Sequence, residues 1–266
     1  CAVSDYEVYN ADPTVQAVLN ELGNVSTLFL NSGNGGPLED VRVREAVYWL
    51  IDKNSMKEVA NSGLGQIVDT TISPMCPMWD GKTESEDKVV DVEKAKQLLA
   101  DAGYPDGLTL RMRTNGQVTA QLSMIQEQLR AGGIEVNIEV AETPVHFAAL
   151  SEGDYDMYVS TQQNGYYSEA VRTTDGADYS YADVLGGCGY NDATYSEICQ
   201  KALTTYDETE RKAVYAELQD YFRENYISIG LYTSVGMTVA RPDLQGFGLF
   251  GTGVQDLSNL YGTGAN

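Results

Sequence analysis

Histidine occurs once in 266 residues, at His146, and that scarcity excludes most catalytic devices. A Ser-His-Asp or Cys-His arrangement has this one candidate base. His146 lies among apolar neighbours in Pro144-Val145-His146-Phe147-Ala148, where a hydrogen-bonded structural histidine is the expected role. Zinc needs Cys or His ligands converging at short spacing, and the chain offers no such set. There is no GxxxxGK[ST] phosphate loop, no GxGxxG opening a helix and no GxSxG elbow. Asp154-Tyr155-Asp156 and Asp175-Gly176-Ala177-Asp178 pair carboxylates without continuing into a calcium loop, so both read as solvated turns. We therefore expect no catalytic residue, no bound metal and no cofactor.

Long hydrophobic runs are missing too: none approaches the roughly 20 residues that cross a bilayer as a helix. Basic residues are scarce, 17 against 39 acidic ones, for a net charge of −22. Such a surface repels nucleic acid and anionic membranes and favours solubility. Two tryptophans and five phenylalanines stand beside 18 tyrosines. Tyrosine suits a wet contact surface, because its apolar ring carries a polar tip. Of the four cysteines, Cys188 and Cys199 are close enough in sequence for a disulfide in an oxidising compartment. Cys199 also fits the apolar stripe of a helix as a buried thiol; Cys1 and Cys76 have no evident partner. Asn24-Val25-Ser26 is a formal glycosylation sequon.

What the chain does have is helix and strand in alternation. In residues 37–56, Val43, Ala46, Val47, Leu50 and Ile51 recur at i, i+3, i+4, i+7 and i+8, one apolar face of a helix capped by Asp40. Arg42, Arg44 and Glu45 fall off that stripe, toward solvent or another lobe. Residues 90–104 repeat the pattern, with Asp91 as N-cap, Ala95, Leu98, Leu99 and Ala102 on one face and Gly103 as the stop. Leu108, Leu110 and Met112 alternate as a strand, a helix carrying Leu122, Ile125 and Leu129 ends at Gly132-Gly133, and Ile134 to Val140 alternate as a second strand. A short helix at 145–150 leads to a strand at 155–160. Asp192, and Asp207 with Glu210, cap two further helices, and Ile227, Ile229 and Leu231 read as a closing strand. A helical patch is expected at 15–22, a strand at 27–31, and irregular segments at 61–90 and 161–190. Interleaved strands and helices mean a layered α/β or α+β domain.

Five of these segments, in order, resemble the family 5 extracytoplasmic solute-binding proteins, which serve ABC importers. They are PLEDVRVREAVYWLIDKNSM, VDVEKAKQLLADAGYPDG, QEQLRAGGIEVNIEV, EGDYDMYVS and the run from Leu231 that ends in ARPDLQGF. The resemblance implies an α/β fold, a periplasmic-binding-protein-like (type II, cluster C) lobe with a mixed sheet flanked by helices. Members are longer, so residues 1–24 are expected to lead in from a missing N-terminal lobe, 25–247 to form the C-terminal solute-binding lobe and 248–266 to return toward the missing lobe. Both end segments are expected to be weakly anchored. A cut from a longer chain is favoured over Cys1 as a lipidated first residue, although the resemblance implies a lipoprotein anchor for the parent outside the cytoplasm.

Relatives that bind peptides continue from the strand matching 156–160 into Gly-Trp-x-x-Asp-Tyr, whose acidic residue holds the peptide's α-ammonium. Here Thr161 precedes Gln162 at the tryptophan position and Gly165 at the aspartate position, and Tyr166 alone agrees. The counter-ion is lost from that position unless Glu169 or Asp178 substitutes from a shifted loop, and the amides and tyrosines there suit a carbohydrate or a peptide backbone. Gln162, Gln163, Asn164, Tyr166 and Tyr167 are the candidate cleft residues, with Arg172 as an anion contact. The implied activity is capture of an oligopeptide or other small polar solute between two lobes, by a monomer that hands it to ABC permease subunits. The alternative on the same fold is a sensor or adhesin that binds a signal peptide or host protein and transports nothing.

Overall fold

A computed structural model describes residues 3–83, 88–163, 188–190, 192–246, 248–249, 255–256 and 259–263. Five strands form one mixed sheet in the order β3-β2-β4-β1-β5. They are β1 Gln16–Leu30, β2 Leu108–Asn115, β3 Ile134–Ala141, β4 Met157–Gln163 and β5 Ser228–Ala240. β2 runs parallel to β3 and β4, and β1 runs antiparallel to β4 and β5.

Side chains alternate across a strand, so the sheet presents two apolar faces. Leu28, Leu30, Leu110, Met112, Met157, Ile229 and Leu231 share one cluster with Val43, Val47, Leu50, Leu99 and Ile125. Those partners come from α2 Val41–Leu50, α4 Val92–Asp101 and α5 Ala120–Ala131, with Met56 added by α3 Lys53–Asn61. Phe29 and Tyr158 face the other way and meet Leu150, Tyr195, Cys199, Tyr215, Leu218 and Phe222. These come from α6 Thr143–Glu152, α7 Ala193–Thr204 and α8 Glu208–Glu224. The result is the helix-flanked mixed sheet that the family resemblance implies.

Local signals set the helix ends. Asp91, Asp192 and Asp207 accept the N–H of Lys94, Tyr195 and Glu210 at 2.9, 3.0 and 2.9 Å, which satisfies one orphan donor per helix start. Asp40 does the same for Arg42. The 37–56 stripe breaks after Leu50, and Asp52 caps the next helix by accepting from Ser55 N.

Two expectations fail here, each through contacts that the apolar pattern does not show. Residues 15–22 do not form a helix; from Gln16 onward they are the first part of β1, and Gln16 to Glu21 pair with Ala240 to Val235 of β5. Val15, Val18, Leu19 and Leu22 have helical spacing, but pairing with a distant strand overrides that weak preference. The same ladder anchors this part of the 1–24 segment. Arg44 is not exposed but buried, donating Nη1 to Leu38 O at 2.7 Å and Glu39 O at 2.9 Å, and Nε to Asn225 O at 3.0 Å. Its guanidinium satisfies carbonyls left by the turn before α2 and the end of α8.

Candidate functional site

β2 and β4 are parallel, so their carboxyl ends, Asn115 and Gln163, open on one edge of the sheet. In open α/β sheets ligands lie outside that edge, where strand order changes direction. Here β1 crosses it antiparallel, with Asn24, Val25 and Ser26 opposite Gln163, Gln162 and Thr161. Beyond Asn24, β1 leaves β4 and continues with β5 as a two-stranded ribbon.

Several of the described groups at this edge are neutral and polar, and Glu21 stands nearby on the ribbon, where its Oε2 accepts from Gln66 Nε2 at 3.5 Å. Gln121, in the first turn of α5, donates Nε2 to Ser26 Oγ at 2.9 Å. Thr119 caps that helix by accepting from Leu122 N. Thr161 is exposed, whereas Asn24 Oδ1 is buried and has no hydrogen-bond partner among the described residues. Burial raises the Tyr232 hydroxyl pKa, and a hydrogen bond with Ser26 opposes it. The β5 side is braced by Thr233, whose Oγ1 accepts from Gln66 N and whose N donates to Gln66 O, each at 2.9 Å. Among the described residues no cluster of three His, Cys, Asp or Glu side chains could hold a metal.

Of the sequence-predicted site residues, Gln162 and Gln163 are the last two residues of β4, at this edge. Asn164, Tyr166, Tyr167 and Arg172 lie outside the described residues. Ser26, Asn24 and Gln121 were not anticipated; Asn24-Val25-Ser26 stood out only as a sequon, and nothing local signals that it pairs with β4.

Three further expectations need correction. Cys188 and Cys199 are thiols and are not joined in a disulfide. Cys188 is held beneath the end of β1, where its carbonyl accepts from Ser32 N at 2.8 Å, and Cys199 sits on the inner stripe of α7. Burial pushes the Cys188 thiol well above its ordinary pKa. Asp154 is exposed, as expected of a loop carboxylate, but it is ion-paired, and Asp156 is largely covered. Asp154 pairs with Arg111 and Arg113 at 2.6 Å each, and Asp156 accepts from Arg111 N at 2.7 Å. The hydrogen bond from Arg111 holds the Asp154 carboxyl below the usual range, though burial opposes it. His146 is buried as expected, but its Nδ1 has no hydrogen-bond partner among the described residues. Burial lowers its pKa and the Arg113 charge lowers it further. It stands edge-on to Tyr158, on the strand position five before Gln163, roughly 16 Å from the open edge at 3.3 Å per residue.

Residues 2–178 match the family described as bacterial extracellular solute-binding proteins, family 5 Middle. The chain belongs to this family. Among curated relatives, heme-binding protein A of Haemophilus influenzae is 23% identical over 92% of this chain and 46% of its own length. Di/tripeptide-binding protein 2 of Pseudomonas aeruginosa is 28% identical over 96% of this chain and 49% of its own. The solved DppA of Helicobacter pylori, a periplasmic binding protein in complex with the peptide STSA, superimposes with a TM-score of 0.82 at 21% identity, covering 98% of this chain and 51% of that one. The chain thus spans about half the length of the curated relatives it matches. Family 5 members are extracytoplasmic binding proteins rather than enzymes.

Proposed function

We propose that this chain is the C-terminal lobe of a two-lobed solute-capture protein that delivers a peptide-like or other small polar solute to an ABC permease. The observation that carries the reading is the open carboxyl edge of β2 and β4, bordered by neutral amides and hydroxyls and crossed by the β1–β5 ribbon. The ribbon is the natural crossing to a second lobe, and hinge closure about it would bury the solute. Gln162 and Gln163, with Asn164, Tyr166, Tyr167 and Arg172 after them, then supply one wall of the cleft. The di/tripeptide-binding and peptide-bound relatives support a peptide-like solute. The amides and hydroxyls among the described residues at this edge favour recognition of backbone amides.

Calorimetry on the two-lobed parent, titrated with di- and tripeptides, oligosaccharides and metal chelates, tests this. One solute class should bind, and Gln162→Ala with Gln163→Ala should weaken it by about tenfold, the loss of roughly 1.4 kcal/mol. This chain alone, with half the contacts, should bind far more weakly. Equal affinity for the lone lobe, or no solute bound by the parent, would overturn the reading.

A further inference from the structure

A peptide chain attacks its own side chain most readily where asparagine precedes glycine, because glycine has no Cβ to hinder the approach. The sequence holds three such pairs, Asn34-Gly35, Asn115-Gly116 and Asn164-Gly165, and the last lies outside the described residues. The first pair is locked. Asn34 Nδ2 donates to Tyr155 O at 2.7 Å and to Asp156 Oδ1 at 3.1 Å, and Asn34 Oδ1 accepts from Gly36 N at 2.9 Å. Gly35 N, the nitrogen that would attack, donates to Glu39 Oε1 at 2.7 Å.

The second pair is open. Asn115 ends β2 at the carboxyl edge, and residues 115–119 are all exposed. Neither the Asn115 side chain nor Gly116 N has a hydrogen-bond partner among the described residues. Gly116 has a φ of +121°, and a Cβ there would meet nothing within 4 Å. The backbone can therefore turn at this glycine without breaking a contact.

We propose that Asn115 is a self-modification site, where the chain converts a side-chain amide to a carboxylate through a cyclic imide. Gly116 N gives up its proton and bonds to Asn115 Cγ; the Cγ–Nδ2 bond breaks, and ammonia leaves carrying that proton. Water then opens the imide. Cleavage of the nitrogen's bond to Cγ gives aspartate, and cleavage of its bond to the Asn115 backbone carbonyl carbon gives isoaspartate. Either way one amide and one water become one carboxylate and one ammonium ion. The new charge stands at the carboxyl end of β2, the edge where the proposed function seats the solute, and there it disfavours an anionic group. That consequence rests on the proposed function; the cyclisation does not.

Incubating the 266-residue chain in mildly alkaline buffer, then mapping its tryptic peptides by mass spectrometry, tests the proposal. Cleavage after Lys and Arg places the three asparagines on separate peptides, with Asn115 on 114–130. In the folded chain, conversion at Asn115 should run at least about tenfold faster than at Asn34, where hydrogen bonds must first break. It should quicken as pH rises, because the attacking nitrogen must lose its proton. In urea the two rates should converge, since Asn34 and Gly35 N then lose their partners. Asn115→Gln should keep the melting temperature and abolish the converted 114–130 peptide. Equal rates at Asn34 and Asn115 in the folded chain, an Asn115 that converts only in urea, or a converted 114–130 peptide that persists in Asn115→Gln would overturn it.

Discussion

Replacing Arg223 with methionine should destabilise the lobe by about 3 kcal/mol. Arg223 grips Asp80 with two nitrogens, Nη1 to Oδ2 at 2.7 Å and Nη2 to Oδ1 at 3.1 Å, and reaches Asp69 and Asp220 at 2.8 and 2.9 Å. The Asp80 side chain is 0% exposed, and that of Arg223 is 19% exposed. Burial works against the guanidinium charge, but the hydrogen bonds to Asp80 and Asp69 outweigh it and raise Arg223 above the usual arginine range. Removing one member of a buried pair leaves its partner charged and dry, at roughly 3–5 kcal/mol. The low end applies, because Lys82 N still donates to Asp80 Oδ1 at 3.0 Å and Lys82 Nζ stands 3.9 Å from Oδ2. Methionine keeps most of the apolar stem, so the loss isolates the charge. Urea unfolding followed by circular dichroism should show a lower midpoint with an unchanged slope. Adding Asp80→Asn to Arg223→Met should recover more than half of the loss, since the orphaned charge is gone. A single variant within about 1 kcal/mol of the parent, or a double variant no more stable than the single, would refute the argument that this ion cluster clamps the 61–90 segment to α8.

Three further outcomes follow from the packing. Asn31 donates Nδ2 to Gly153 O at 3.0 Å and Tyr155 O at 2.7 Å and accepts from Gly33 N at 3.1 Å, so Asn31→Ala should cost about 2–3 kcal/mol in the same assay. Gly107 has φ +86°, and a Cβ there would sit 2.2 Å from Gly133 O; Gly107→Ala should therefore lower the melting temperature, by more than the roughly 1 kcal/mol of a left-handed residue alone. Buried His146 has its pKa held below 6.5, so the unfolded chain takes up the proton first. Stability from this group is complete above about pH 6.5 and is lost as pH falls through its folded value. His146→Phe should flatten the fall in stability that begins as pH drops below about 6.5, and an unchanged slope there would refute this.

The fold was legible wherever the information is local. Asp40, Asp91, Asp192 and Asp207 cap the helices that their apolar stripes define, and Leu110, Met112, Ile134 and Val136 bury on the faces that strict alternation selects. What failed was settled by contacts that no apolar pattern shows, most of them with distant segments. Residues 15–22 carry helical spacing, yet β5 draws them from Gln16 onward into a strand. Arg44 lies off an apolar stripe, which reads as exposed until Leu38 O, Glu39 O and Asn225 O turn toward it. Asp154 is the exposed loop carboxylate that its sequence suggests, but its pairing with Arg111 and Arg113 of β2 has no local signal.

The candidate site divides along the same line. Gln162 and Gln163 are candidates through the family resemblance, which aligns them with a ligand-contacting segment, and they prove to be the last two residues of β4. Ser26 and Gln121 are not, since neither lies at the end of any visible pattern. They enter only because β1 pairs with β4 and α5 starts beside that pairing, which brings Gln121 Nε2 to Ser26 Oγ. A cleft wall assembled this way depends on register. Because side chains alternate, a one-residue slip of β1 against β4 would turn Ser26 to the opposite face and would also carry Leu28 and Leu30 out of the core. The buried leucines thus hold the polar edge in register, and burial in the core fixes which side chains line it.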